Sequence, residues 1–192
     1  FLDIANLPRS SSLTIHIGGV YNSREIAIES FIKNFNGLPP EMRYRIIIEN
    51  DENNFCTEDL LKISSAIKPY EWAGQKINRI PICFDYFHYC CWNVFHQKDK
   101  KKYQKQRPIK ELLPLIIETW EGGRPKFHLS EQSRGHILGT HSKYIKKIPL
   151  ELADLDIDIM LESRCKELTV FRLSDKKIGG SGGKIELLEK QK

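Results

Sequence analysis

The chain has no run of about 18 consecutive apolar residues, the minimum for a single bilayer-spanning helix. Its first residues carry no secretory signal pattern. Its five cysteines, Cys56, Cys83, Cys90, Cys91 and Cys165, are odd in number and show no CxxC spacing. That excludes a disulfide framework and points to a reducing intracellular compartment, the cytoplasm in a bacterium or the nucleus or mitochondrion in a eukaryote. The adjacent pair Cys90–Cys91 reads as packed beneath a loop rather than redox-active. No strong excess of one charge is present. The net charge of +5 permits a nucleic-acid partner without demanding one. There is no internal repeat beyond an alternation of strand-like and helix-like stretches.

Within that alternation, five apolar, strand-like runs each end on a metal-ligand residue type. They are Thr14–Ile15–His16, Ile46–Ile47–Ile48–Glu49, Ile82–Cys83–Phe84–Asp85 with His88 three residues on, Lys126–Phe127–His128, and 157–162 ending on Glu162. Such a series describes a barrel of parallel strands whose carboxyl ends surround a metal cluster, the face where (β/α) barrels place catalytic residues. The fold class expected is therefore α/β, a (β/α)8 TIM barrel. At 192 residues the chain is one domain by length but short of the about 250 residues of a complete barrel. It opens at Phe1 without a Met, and its first strand already carries a ligand-type residue. The expectation is a partial barrel lacking the N-terminal strands over 1–175, then a flexible tail over 176–192 containing GGSGG.

Between the strands, Asn22 and Glu25 predict a capping box opening a helix to about Asn36, with Ile28, Phe31, Ile32 and Phe35 as its apolar stripe. Pro39-Pro40 should end that unit, and RYRIIIEN should form the next strand, apolar enough to be buried on both faces. Thr57 predicts a helix start, with Leu60, Leu61, Ser64 and Ile67 facing one way. A polar stretch runs from Gln97 to Arg107. Pro108 then opens a helix with Ile109, Leu112, Leu113, Ile116, Ile117 and Trp120 on one side. Pro114 should kink or split it. A short helix should run to about Leu173.

Each candidate group has a chemical reason. Glu49 ends a buried strand, and a lone carboxylate there must be paired, protonated or metal-bound. Asp85 and His88 can turn into one mouth; a solvent-facing Asp beside a packed His is the plain alternative. Lys126 and His128 alternate onto the same face. If His128 points into the mouth, Lys126 points into the interior below, where an ammonium is costly unless deprotonated, paired or modified. Carbamylation would turn that amine into a carboxylate-like ligand. His141 lies in GTHSKYI and Glu162 ends IDIMLE, whereas His96 and His136 fall outside the pattern. Histidine and carboxylate donors without thiolate suit Zn2+ or Mn2+, and a cluster of two or three ions can activate water and clamp a phosphodiester. In HQKDKKKYQKQRPIK, Lys98, Lys100, Lys101, Lys102, Lys105, Arg107 and Lys110 can meet phosphates, and Tyr103 can stack on a sugar or base. The plain reading of that run is a solvated loop.

The strings TIHIGGVY, RYRIIIENDE, PICFDYFHYCC, RPKFHLSEQ, THSKYI and IDIMLESRCKEL, in that order over 14–171, resemble the UV damage endonuclease family of the UvdE type. That family is related to endonuclease IV and to xylose isomerase-like barrels. The resemblance implies a metal-dependent enzyme that nicks UV-damaged double-stranded DNA directly 5′ of photoproducts, leaving 3′-hydroxyl and 5′-phosphate ends, as a monomer with no membrane partner. It implies His16, Glu49, Asp85, His88, His128, His141 and Glu162 as metal ligands for Mn2+, or alternatively Zn2+ or Mg2+, with Glu49 bridging two ions. Glu49, Lys126 and Glu162 would be catalytic, Lys126 being the lysine that can be carboxylated. Lys100, Lys101, Lys102, Tyr103 and Lys105 are DNA-contact candidates from the basic loop, which departs from the family pattern. An endonuclease IV-like abasic-site nuclease, a xylose isomerase-like enzyme and a non-catalytic DNA-binding remnant are the other readings.

Overall fold

A computed structural model describes residues 11–174; the tail expected over 176–192 lies outside the described residues. The elements in chain order are β1 (Leu13–His16), α1 (Arg24–Asn36), α2 (Pro40–Arg45), β2 (Ile46–Glu49), α3 (Thr57–Ala66), β3 (Tyr70–Trp72), β4 (Gln75–Ile77), β5 (Ile82–Asp85), α4 (Tyr86–Lys98), α5 (Ile109–Glu118), β6 (Lys126–Leu129), α6 (Leu150–Ala153), β7 (Asp158–Leu161) and α7 (Glu167–Ser174). Five strands form one parallel sheet in the order β1-β2-β5-β6-β7. Each of its strands after β1 is reached through at least one helix, as parallel pairing requires. This is part of a (β/α) barrel.

Strand alternation sorts the chemistry. Ile46, Ile48, Ile82, Phe84 and Phe127 share one core with Leu60 and Ile63 of α3 and Leu112, Leu113 and Ile116 of α5. These side chains face the helices. The opposite parity, Ile47 and Glu49, Cys83 and Asp85, Lys126 and His128, faces what would be the barrel interior. There Ile47 and Cys83 pack on Trp120, whose Nε1–H donates to the Ile82 carbonyl at 2.9 Å. Trp120 therefore closes the interior near the amino ends of the strands, leaving the carboxyl ends for polar groups. The register sets His16 beside Glu49, Glu49 beside Cys83, and Asp85 beside His128.

Several local expectations change. The cap of α1 is Ser23 rather than Asn22, its Oγ accepting from Ile26 N at 3.1 Å. Pro40 opens α2 instead of ending a unit, so Arg43 to Arg45 are helical and the strand is only Ile46–Glu49. Arg43 is buried because its guanidinium lies over the Phe35 and Tyr70 rings, 5.0 and 3.9 Å from their centroids. On α3 the buried stripe is Leu60, Ile63 and Ser64, with Ile67 just beyond. Helix α5 runs through Pro114 unbroken; packing of Leu112, Leu113 and Ile116 outweighs the one lost backbone bond. The aromatic stretch after Asp85 is helix α4, for which no stripe was apparent. The hairpin β3–β4 turns on Ala73 and Gly74, at φ 51° and 74°, as a two-residue type I′ loop requires.

Candidate metal centre

Three strand ends supply the centre. Glu49 closes β2, Asp85 closes β5 and His128 is the third residue of β6; all three are buried. His128 Nδ1 lies 2.8 Å from Glu49 Oε1 and 3.1 Å from Glu162 Oε1, Glu162 being the residue after β7. His16, at the end of β1, reaches Glu49 Oε2 at 3.6 Å. His88 is set by the α4 cap: the Asp85 carboxylate accepts from His88 N at 2.7 Å, which ends the strand and starts the helix at once. His88 Nδ1 donates to the Asn50 carbonyl at 2.9 Å and lies 3.8 Å from Asp85 Oδ2, while Nε2 is 3.5 Å from Glu52 Oε2. The His88 ring is 6.0 Å from that of His16 and 6.2 Å from that of His141. His141 closes the ring at 3.9 Å from Glu162 Oε2. All seven ligand candidates meet at one mouth.

Glu49 occupies a special place among them. Glu49, His128 and Glu162 form one group whose donor atoms lie within 4.8 Å of one another, and Glu49, Asp85 and His88 form another. A carboxylate common to two three-donor groups has the arrangement of a bridge between ions.

The electrostatics show which groups carry charge. Burial alone would lower the pKa of His128, but hydrogen bonds with Cys83, Glu162 and Glu49 outweigh it and push the imidazole up to about 12. Burial likewise opposes charge on His88, yet Asp85, the Asn50 carbonyl and the Glu52 and Glu49 carboxylates carry its pKa above the usual value. Glu162 is held below the ordinary carboxylate range by its hydrogen bond to His128, against the effect of burial. Burial raises Asp85. Asp85 Oδ2 is buried without a hydrogen-bond partner. A buried carboxylate oxygen aimed into a nest of imidazoles is satisfied by a cation. The donors are nitrogen and oxygen, and the nearby Cys83 thiol is pushed up by burial, away from the thiolate form. The set fits divalent metal and is not a thiolate site.

Two residues of the mouth were missed in the sequence. Asn50 Nδ2 donates to the Asp85 carbonyl and Asn50 Oδ1 accepts from Asp85 N, both at 2.9 Å. This pair ties the carboxyl end of β2 to that of β5 and fixes the two carboxylates relative to each other. Glu52 adds a carboxylate beside His88. The only available signal was the polar string ENDE directly after a buried strand.

Other candidates fare differently. Lys126 is half-buried rather than enclosed, with its Nζ 3.5 Å from Ser12 Oγ; it opens β6, two residues below His128. Tyr103 is 5% exposed. Its ring sits edge-on to Trp92 and stacked on Phe95, so a base cannot reach its face and the stacking role is withdrawn. Lys100, Lys101, Lys102 and Lys105 are exposed. Their loop is clamped to the start of α3. Gln106 Oε1 accepts from Thr57 N at 3.1 Å, and Gln104 Nε2 donates to Asp59 Oδ1 at 3.1 Å. Arg107 forms a two-pronged pair with Glu58 at 2.8 and 2.7 Å. Since α3 begins on the mouth side of β2, the basic loop lies at that side too.

A family model described as UV-endonuclease UvdE matches residues 1–185. The UV DNA damage endonuclease of Bacillus cereus (strain G9842) is 35% identical over 183 residues, covering 91% of this chain and 51% of that protein. The UV DNA damage endonuclease of Clostridium perfringens (strain 13 / Type A) is 33% identical over 180 residues, covering 90% of this chain and 39% of that protein. Among solved structures, one described as "Crystal Structure of SacUVDE" superposes with a TM-score of 0.69 at 28% identity, over 89% of this chain and 52% of that one. The chain thus spans about half or less of the length of the relatives it matches. Among the described residues no helix is long and apolar enough to cross a membrane.

Proposed function

The chain belongs to the UV-endonuclease UvdE family, and from that premise we propose that it is the carboxyl-terminal part of a metal-dependent DNA repair endonuclease. Its whole protein would nick the backbone of UV-damaged duplex DNA directly 5′ of the lesion, leaving 3′-hydroxyl and 5′-phosphate ends. The observation that carries this reading is the Glu49 carboxylate shared between two ligand groups at a barrel mouth. In this proposal His16, Glu49, Asp85, His88, His128, His141 and Glu162 hold two or three divalent ions, Mn2+ first, with Zn2+ or Mg2+ as alternatives. Ions held there would supply an activated water and neutralise charge on the attacked phosphate.

The chain's own residues do the rest. Asn50 holds Asp85 and Glu49 at a fixed spacing, so the ligands need not reorganise during the reaction. His88 is kept in the tautomer with Nδ1 protonated by the Asn50 carbonyl, which presents Nε2 as the donor. Lys126, below His128 on the same face, is assigned the role of a carbamate: its neutral amine takes up carbon dioxide, releases a proton and gains negative charge near the ligand set. The exposed lysines 100, 101, 102 and 105 are assigned to phosphates of the bound duplex, positioning it without reading sequence.

The test is a nicking assay on the full-length protein with Mn2+, comparing UV-irradiated with undamaged closed-circular DNA. Preferential relaxation of the irradiated DNA, abolished by EDTA, is expected. Equal rates on both substrates would remove the damage-specific reading, and nicking that survives chelation would remove the metal. An abasic-site duplex in parallel distinguishes an endonuclease IV-like specificity.

A further inference from the structure

The loop between β6 and α6 carries His141 into the ligand cluster, and its tip does something costly. Ile137 there is 86% exposed. A β-branched aliphatic side chain held in water forgoes the stabilisation of burial. It is not exposed because the loop is slack. The Gln132 side chain threads the loop: its Nε2 donates to the carbonyls of Ser133, His136 and Ile137 at 2.9, 3.3 and 3.0 Å. Its Oε1 accepts from Gly139 N at 2.9 Å. Backbone bonds Ser133 N to Thr140 O and Ser142 N to Glu131 O, both 2.8 Å, pair the two legs. Gly135 and Gly139, at φ +76° and +96°, make the bends. The Arg164 guanidinium ties Ser133 Oγ to the far side at 3.2 Å. The result is a stiff finger with Ile137 at its end, four residues from a metal-ligand candidate. Exposed Arg134 and His136 flank it on one side, and exposed Lys143, Lys146 and Lys147 follow on the other.

We propose that this finger is a DNA-distorting element, in which Ile137 inserts between base steps near the scissile phosphate while Arg134 and the following lysines hold the adjoining backbone. The inference rests on the reading of the whole protein as a DNA endonuclease. An apolar wedge set among cationic side chains is how proteins unstack and bend a duplex. Damaged base steps stack less well and yield to it at lower cost. The wedge therefore contributes to choosing the lesion as well as to positioning the backbone at the metals. The rigidity has a purpose on this account: a floppy loop would fold its isoleucine away rather than transmit force to the stack.

The test uses the full-length, metal-loaded protein and a duplex with one photoproduct and 2-aminopurine at a neighbouring position. Wild-type binding should raise 2-aminopurine fluorescence, reporting unstacking. Ile137→Ser should lose most of that rise and lower kcat/KM on the duplex by about tenfold or more, while Ile137→Leu restores both. A substrate already unpaired at the lesion should be nicked by Ile137→Ser at nearly the wild-type rate, because the distortion is then supplied in advance. If Ile137→Ser matches wild type on the paired duplex, the wedge is refuted and the endonuclease reading stands. If Ile137→Ser instead lowers the melting temperature with no change in the fluorescence rise, Ile137 is covered by another part of the protein and the wedge is again refuted. If the wild-type protein neither binds nor nicks damaged DNA, the underlying reading fails first.

Discussion

Because Glu49 belongs to both three-donor groups, Glu49→Gln should act on metal binding as no other single change does. The substitution keeps shape and removes the charge, cutting each group from three anionic or imidazole donors to two. Stabilisation by a ligand follows its concentration relative to Kd. At free Mn2+ of about 100 times Kd it amounts to about 2.7 kcal/mol, and at about 1–2 °C per kcal/mol for a protein twice this chain's length the wild-type melting temperature should rise by about 3–5 °C. Loss of a ligand should cost at least the about 100-fold in affinity seen when outer-shell partners of ligands are removed. At the same Mn2+ concentration the variant then gains only about 0.4 kcal/mol, a shift of about 0.5 °C. Asp85→Asn enters one group only and should retain part of the shift; Glu52→Gln enters neither and should retain most of it. The measurement is a thermal melt of the full-length protein with and without Mn2+, circular dichroism confirming that each variant is folded. A folded Glu49→Gln protein that keeps the full wild-type shift would refute the shared-carboxylate reading.

Proton release gives an independent check: His128, with its pKa pushed up to about 12, carries a proton at neutral pH and must lose it to bind an ion through Nδ1. Metal affinity should therefore climb with pH across the neutral range, by about tenfold per unit for one displaced proton. Titration calorimetry in buffers of different ionisation heat should count at least one proton, and a count of zero would contradict the assignment. Asn50→Ala should destabilise the fold by about 2–4 kcal/mol, since it removes two buried hydrogen bonds and strands the Asp85 N–H and C=O; denaturant unfolding reads this, and a loss under 0.5 kcal/mol would show that Asn50 does not brace β2 against β5. Replacing Lys100, Lys101, Lys102 and Lys105 by Ala should flatten the slope of log K against log salt by up to about 0.9 per lost phosphate contact. An unchanged slope would make that loop a solvated rim.

Much of the barrel was legible because its signals are local. Four-residue apolar runs ending on His, Glu or Asp are both the strand and the site, since a parallel strand buried on both faces must carry its polar residue at the end. Strand alternation likewise places Lys126 and His128 on one face from the sequence alone. Helix α4 was not legible, because its start is fixed by the Asp85 cap and its aromatic residues divide rather than forming one stripe, Trp92 and Phe95 packing on Tyr103 of the basic loop and Tyr86 and Tyr89 on the main core. The fate of Tyr103 could not be read either: in sequence it is an aromatic among lysines, and only Trp92 and Phe95, brought alongside by α4, bury it. Asn50 and Glu52 were hidden for the same reason, their roles depending on neighbours 35 and 36 positions away. The exposure of Ile137 is likewise a tertiary fact, for an isoleucine in a sequence is expected inside. What the sequence determined is which residues stand at the strand ends. What tertiary structure decided is which atoms they share, because hydrogen bonds and donor distances exist only between segments that the chain leaves far apart.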